Sequence, residues 1–115
     1  MFEVNIILRI ITPCENNPGE LLVLLDEDGN IPTIKLLKGQ SVEEVINKKL
    51  ESLFYTNDLY TVKATKQISY METLGNKFNV YYNFMTTSTS SKLGSFVIFN
   101  EKSIEIFRMM NNRSI

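Results

Sequence analysis

The chain has 115 residues, enough for one compact domain and too few for two. A net charge of −1 argues against a nucleic-acid-binding module, and the absence of histidine excludes a histidine-based triad and an imidazole metal site. The one cysteine, Cys14, cannot form an internal disulfide, which favours a reducing, cytoplasmic compartment.

The first residues predict a strand over residues 2–12. Polar side chains at Glu3, Asn5 and Arg9 interrupt the apolar run, so we expect neither a signal peptide nor a membrane-spanning segment. The apolar side chains recur at every second position and would share one face of the strand; they are Phe2, Val4, Ile6, Leu8 and Ile10.

A second apolar run at residues 20–26 predicts a strand buried on both faces. Residues 27–30, Glu-Asp-Gly-Asn, have the composition of a tight turn. We therefore expect residues 31–37 to return as the second strand of a hairpin, with Pro32 near its start, where a missing N–H is tolerated.

A polar turn at residues 38–40 leads to a predicted helix over residues 41–54. Ser41 with Glu44 three residues later forms a capping box, which satisfies N–H groups at a helix start. The apolar side chains that follow have helical spacing and predict a face packed on the sheet; they are Val42, Val45, Ile46, Leu50, Leu53 and Phe54.

The remaining half of the chain is predicted to form mainly antiparallel strands, and the whole chain is predicted to be one α+β domain over residues 1–115 with a mixed sheet. We expect the first helix to end at residues 55–58. The later predicted elements are one or two strands in 59–74, a turn at Gly75-Asn76, an alternating strand at 78–85, a polar loop at 86–92, a strand at 95–99, and a short helix at 101–111 capped by Asn100.

This element order, with several short segments, resembles the Nudix fold. Residues 39–45, Gly-Gln-Ser-Val-Glu-Glu-Val, are similar to a run found at the start of the family's motif helix, and residues 31–34 stand where the family has Leu-Pro-Gly-Gly. Residues 69–75 and 96–101 are also similar to the family. The resemblance implies a Nudix-like α/β/α sandwich with a mixed sheet, one main helix after a strand and turn, and a short C-terminal helix.

The resemblance also implies that the chemistry of the motif is missing. The family's motif glutamates bind divalent metal for pyrophosphate hydrolysis, and Mg²⁺ requires oxygen ligands. The motif positions fall on residues that supply no carboxylate: the first glycine on Ile34, the first glutamate on Gln40, the arginine on Lys48, the next glutamate on Lys49, the two metal-binding glutamates on Ser52 and Leu53, and the closing glycine on Tyr55. We therefore predict no catalytic residues, no metal site and no cofactor.

The first functional hypothesis is a catalytically inactive domain that senses a nucleotide derivative of the ADP-ribose type. Lysine side chains would contact its phosphates, and a tyrosine ring would stack on its base. The candidate ligand-binding residues are Lys35, Lys38, Lys48, Lys49, Tyr81 and Tyr82, for which solvation of the lysines and sheet packing of the tyrosines are the competing explanations.

Two other hypotheses stay open. The domain could be a docking module for a protein or ribonucleoprotein, using apolar side chains such as Met109, Met110 and Ile115. It could also be a divergent Mg²⁺-dependent hydrolase that uses Glu43 or Glu51, although both fit a solvated helix face. A homodimer is compatible with either non-enzymatic role.

Overall fold

The computed structural model describes residues 2–17, 19–87 and 89–98. The predicted helix at 101–111, with its Asn100 cap, and the candidate docking residues Met109, Met110 and Ile115 therefore lie outside the described residues. The observed elements are β1 (Glu3–Pro13), β2 (Leu21–Leu25), β3 (Thr33–Leu36), α1 (Val42–Leu53), α2 (Thr56–Ala64), β4 (Gln67–Leu74), β5 (Lys77–Met85) and β6 (Ser95–Ile98).

Strand β1 is the centre of the mixed sheet of six strands that the described residues form. It pairs in parallel with β5 over nine residues, from Glu3 opposite Lys77 to Ile11 opposite Met85. The strand order is β4-β5-β1-β2-β6, with β3 also paired to β1. The α+β class and the mixed sheet are confirmed, whereas the second helical layer of the expected sandwich depends on residues outside the described part of the chain.

The predicted hairpin of β2 with β3 is wrong. Both strands run antiparallel to β1, so they share one direction and follow each other along the same edge. The turn does form, since the backbone N–H of Asp26 donates to the carbonyl of Asn30 at 2.7 Å. However, it closes a loop after which the chain continues along the same edge of β1. There the N–H of Leu8 donates to the carbonyl of Pro32 at 2.9 Å.

Helix α1 begins where the sequence predicts. Ser41 is the N-cap, and its side chain accepts a hydrogen bond from the N–H of Glu44 at 3.4 Å. The preceding turn is closed by the N–H of Gln40, which donates to the carbonyl of Leu37 at 3.1 Å, with Gly39 at a positive φ of 86°. The polar turn and the capped helix are therefore confirmed.

The main core lies between helices α1 and α2 and one face of the sheet. Alternate residues of β1 and β5 supply the sheet side of this core, as period-two burial requires. Its buried residues are Ile6, Leu8, Ile10, Leu24, Ile46, Leu50, Leu53, Phe54, Val62, Tyr82 and Phe84. The predicted faces of the first strand and the first helix are confirmed.

Helix α2 replaces the first part of the strand region expected at residues 59–74. Thr56, Tyr60 and Val62 are β-favouring residues, and Tyr55 at the N-cap makes no side-chain capping hydrogen bond. The helix forms nevertheless because it places Val62 in the main core, with Leu59 packed against that core. Tertiary packing therefore overrides a weak local preference.

Candidate functional site

The sheet has a second face, opposite α1 and α2, which carries mostly polar side chains along its central strands and is called here the polar face. Strand pairing arranges the side chains of this face in rows that run across the strands. Thr33, Ile7 and Tyr81 lie side by side across β3, β1 and β5, and Tyr70 follows on β4. Since residues two apart on a strand share a face, Asn5 and Arg9 of β1 belong to the rows on either side.

A continuous chain of hydrogen bonds crosses the polar face. The hydroxyl of Tyr81 donates to Oε1 of Glu72 at 2.6 Å, and Nδ2 of Asn79 donates to the same oxygen at 3.2 Å. Nδ2 of Asn5 then donates to Oδ1 of Asn79 at 3.0 Å and to Oε2 of Glu3 at 3.2 Å. This network fixes the position of the Tyr81 hydroxyl.

The Tyr81 ring is also held by contacts with Tyr70 and Arg9. It stacks on Tyr70 with ring centroids 4.3 Å apart and planes 5° from parallel. The Arg9 guanidinium lies 5.1 Å from the Tyr81 centroid and 5.5 Å from the Tyr70 centroid. Arg9 is itself held by Asn83, to which its Nε donates at 3.0 Å, and by Ser69, to which its Nη2 donates at 2.6 Å.

These contacts change the acid–base properties of the cluster. Burial, the hydrogen bond to Glu72 and the contact with Tyr70 together raise the pKa of Tyr81 well above its usual value. Burial lowers the pKa of the Arg9 guanidinium below its usual value. Tyr81 is therefore a neutral aromatic wall at physiological pH.

A cleft of about 570 Å³ opens beside Tyr81 on the polar face. Tyr81 lines this cleft from β5, and Ile7 lines it from β1, the neighbour of β5 on the side away from β4. Thr33 stands two strands away from Tyr81, a distance of about 10 Å at the usual strand spacing. The lining residues are Ile7, Asp26, Asn30, Ile31, Thr33 and Tyr81.

The far wall of the cleft is an ordered turn. Oδ1 of Asp26 accepts hydrogen bonds from the backbone N–H groups of Asp28 and Asn30, both at 2.9 Å. Thr33 Oγ1 donates to the carbonyl of Ile31 at 2.9 Å, which leaves its hydroxyl oxygen able to accept. The cleft is thus a slot with an aromatic wall, an apolar floor at Ile7 and a polar wall.

A second pocket, of about 290 Å³, lies between α1 and β3. It is lined by Ile34, Val45, Lys48, Lys49 and Ser52, and the helix residues have the spacing of one helix side. These include four positions that the Nudix resemblance assigns to the family's motif. The lining has no carboxylate, and Ser52 Oγ donates to the Lys49 carbonyl at 2.6 Å. These residues do not fit Mg²⁺, which requires oxygen ligands and is repelled by two ammonium groups.

The candidate ligand-binding residues lie in four different places. Lys35 and Tyr81 lie on the polar face, with Lys35 two residues after Thr33 on β3 and its Nζ 3.1 Å from Oε1 of Glu3. This contact, with the hydrogen bond from Asn5, lowers the pKa of the Glu3 carboxyl. Lys48 and Lys49 line the second pocket instead.

The other two candidates lie elsewhere. Lys38 is exposed in the turn before α1. Tyr82 is a correction: its side chain is 8% exposed within the main core, on the opposite face from Tyr81, so its ring has no open face for a base. The physical reason is the period of the strand, which sends adjacent tyrosines to opposite sides of the sheet.

Several cleft residues were not among the candidates. The sequence places Asp26 at the end of a predicted strand, Asn30 in a predicted turn and Thr33 in the segment 31–34, without indicating a binding role for any of them. The available signal was the polar period along two strands, Asn5 and Arg9 on β1 with Asn79 and Asn83 on β5. Polar side chains that alternate along central strands indicate a sheet face that is not covered by an apolar core, although the sequence does not show which strands are adjacent.

Within residues 2–17, 19–87 and 89–98, no group of three or more histidine, cysteine, aspartate or glutamate residues could hold a metal ion. No helix in the same residues is both long enough and apolar enough to cross a bilayer. No protein-family model matches the chain, and no curated protein matches it significantly.

Proposed function

We propose that this domain binds a nucleotide-type ligand, of the ADP-ribose class, without hydrolysing it. The observation that supports this most is that Tyr81, whose ring is stacked on Tyr70 and whose hydroxyl is bonded to Glu72, lines an open cleft. A ring held in place before binding loses little conformational entropy when a ligand stacks on it. Stacking a base on an aromatic side chain contributes about 1–3 kcal/mol.

The chemistry of the cleft suits a planar heterocycle with polar edges. Ile7 gives an apolar floor, while the Asn30 amide and the Thr33 hydroxyl offer donors and acceptors at the far wall. A base stacked on Tyr81 would direct its edge toward this wall. An aliphatic ligand would leave these polar groups without partners, which disfavours its binding.

Lys35 is the proposed phosphate contact. It lies on the same strand face as Thr33, about 7 Å further along β3 at the usual rise per residue. Its side chain is 62% exposed and pairs with Glu3, so its ammonium group can turn to a phosphate at small cost. A base in the cleft and a diphosphate near Lys35 would together span the polar face.

The absence of hydrolysis is part of the proposal. Cleavage of a pyrophosphate by the metal-dependent route requires carboxylates that hold the metal and activate water. At the second pocket these positions are occupied by Lys48, Lys49 and Ser52. Sensing, in which a bound ligand stabilises the fold and its surfaces, requires no such group.

Ligand-linked thermal stability tests this proposal. Melting temperatures are measured with ADP-ribose, NAD and nucleoside diphosphates, with and without Mg²⁺. We expect a rise that grows with ligand concentration and does not depend on Mg²⁺. No rise with any of these ligands at millimolar concentration would contradict binding, and Mg²⁺-dependent turnover lost in Glu43→Gln or Glu51→Gln would contradict inactivity.

Two matched pairs of variants locate the site by calorimetry. Tyr81→Leu should weaken binding about tenfold or more because it removes the stacking ring, whereas Tyr81→Phe keeps the ring and should bind within about threefold of the parent. Lys35→Ala should weaken phosphate-bearing ligands but not nucleosides, and Lys38→Ala is its control. Equal losses within either pair would place the ligand elsewhere.

The docking hypothesis also has support of its own. Strand β4 displays large apolar side chains that are well exposed, namely Ile68, Met71 and Leu74. Such side chains along one strand are typical of an interaction surface. The two roles are compatible because a ligand-binding domain can also be part of an assembly.

A further inference from the structure

Strand β4 forms one edge of the sheet made by the described residues, where it is paired only with β5. Its other side presents backbone N–H and C=O groups that can pair with another strand. The strand has eight residues, and the relative exposures of Ile68, Met71 and Leu74 are 64%, 59% and 59%. Glu72 is its only charged residue. The strand contains neither lysine nor proline, which are residues that hinder edge pairing.

An apolar groove lies beside this edge, on the sheet face that also carries the main core. It has a volume of about 420 Å³ and is lined by Phe2, Val4, Thr73 and Phe78. Phe2 is 66% exposed, although phenylalanine is normally buried. Met71 shares the face of the groove because it lies two residues before Thr73.

We propose that a second copy of this chain binds here, by antiparallel pairing of β4 with β4 about a twofold axis at Met71. A twofold axis perpendicular to the sheet continues each face of one copy into the same face of the other. The axis places Met71 beside Met71. It also brings Ile68 of the second copy opposite Leu74 of the first and next to Thr73, which lines the groove.

Charge favours this register over its neighbours. With the axis at Met71, Glu72 lies opposite Tyr70 on the polar face, so a carboxylate meets a neutral ring. An axis at Glu72 would place two carboxylates directly opposite each other, which is destabilising. An axis at Tyr70 would place Met71 opposite Ser69, within the irregular pairing between Ile68 and Tyr70.

The size of the surface predicts a weak dimer. A stable interface of standard size buries about 800 Å² on each partner and uses some 20–30 residues a side. The edge strand and the residues that line the groove supply about half that number. We therefore expect a dimer at the low end of interface size, with dissociation in the micromolar range.

Sedimentation of the full chain over a range of concentrations tests the association. We expect a monomer–dimer equilibrium, and Met71→Lys should raise the dissociation constant more than tenfold because it brings two ammonium groups together. Leu37→Lys is the matched control, since Leu37 is 57% exposed in the turn before α1 and should leave the equilibrium unchanged. Melting curves verify that both variants fold.

Cross-linking tests the register. In a Cys14→Ser background, Met71→Cys should form an intermolecular disulfide in mild oxidant, because residues directly opposite on paired strands lie close enough to be bridged. Tyr60→Cys, at an 82% exposed position on α2, should not. Nucleotide binding should persist in Met71→Lys because Met71 lies on the opposite sheet face from the cleft, so the two proposals can fail separately.

Three outcomes would overturn the proposal. These are a chain that stays monomeric up to millimolar concentration, a dimer insensitive to Met71→Lys, and cross-linking at position 60 rather than 71. A monomer whose β4 amide signals shift on adding an extended apolar peptide would assign the edge to a foreign strand instead of a second copy.

Discussion

Nε of Arg9 donates a hydrogen bond to Oδ1 of Asn83 at 3.0 Å, joining two adjacent parallel strands by a pair of buried side chains. Arg9 is 6% exposed and Asn83 is 3% exposed. The pair supports the stacked tyrosines beside the cleft, because the guanidinium lies near both rings. This buried polar pair therefore helps to hold the aromatic rings at the candidate site.

Asn83→Ala should destabilise the fold by about 1–3 kcal/mol, since it leaves a buried guanidinium N–H without this acceptor. Denaturant unfolding measures the change. Asn57→Ala, at an exposed position in the first turn of α2, is the control and should alter the unfolding free energy by no more than about 0.5 kcal/mol. Similar values for both variants would show that the Arg9 contact contributes nothing to stability.

Gly94→Ala should be among the most damaging single substitutions. Gly94 has a φ of +81°, and a Cβ atom there would overlap the backbone carbonyl of Leu25. Gly29→Ala is a matched control, because Gly29 has a φ of +80° with open space around its Cβ position. We expect about 1–2 kcal/mol for Gly29→Ala from backbone strain alone and clearly more for Gly94→Ala.

Hydrogen exchange would show where the strain of Gly94→Ala falls. The overlap involves the end of β2, next to which β6 begins, with Leu25 opposite Ser95. We therefore expect amide protection to fall first in β6. Equal melting temperatures for Gly94→Ala and Gly29→Ala would contradict the close approach.

Ser41→Ala should cost about 1 kcal/mol of unfolding free energy, because it removes the side-chain oxygen that caps α1 at Glu44. Ser52→Ala serves as the control on the same helix, since its exposed hydroxyl bonds only a carbonyl within the helix among the contacts described. A cost for Ser52→Ala as large as that for Ser41→Ala would refute the capping role.

The raised pKa of Tyr81 predicts a loss of stability at alkaline pH. In the unfolded chain tyrosine ionises near pH 10, whereas in the fold burial and the Glu72 contact keep Tyr81 protonated to higher pH. The stabilisation is therefore complete below about pH 10 and is lost as the pH rises through the folded-state pKa. Melting temperatures from pH 8 upward should fall less steeply for Tyr81→Phe than for the parent. Parallel curves would show that the ring is not shielded from ionisation.

The sequence alone determined the elements whose pattern is both long and regular. Alternation along β1 and β5 and helical spacing along α1 each continue over eight or more residues, so burial on one face fixes both the type of element and its orientation. The capping residue Ser41 and the turn at Gly75 follow from local chemistry in the same way, since their signals involve only neighbouring residues.

The choice of strand partners and of side-chain contacts depends on the tertiary structure. Asp26 to Asn30 form the predicted turn, but β1 is long enough to pair with β3 at one end and β2 at the other, so no hairpin results. Residues 56–64 are helical because Val62 reaches the main core. Tyr81 borders a cleft while Tyr82 is buried, because contacts between distant segments, rather than the adjacent tyrosines themselves, determine which sheet face is covered by α1 and α2.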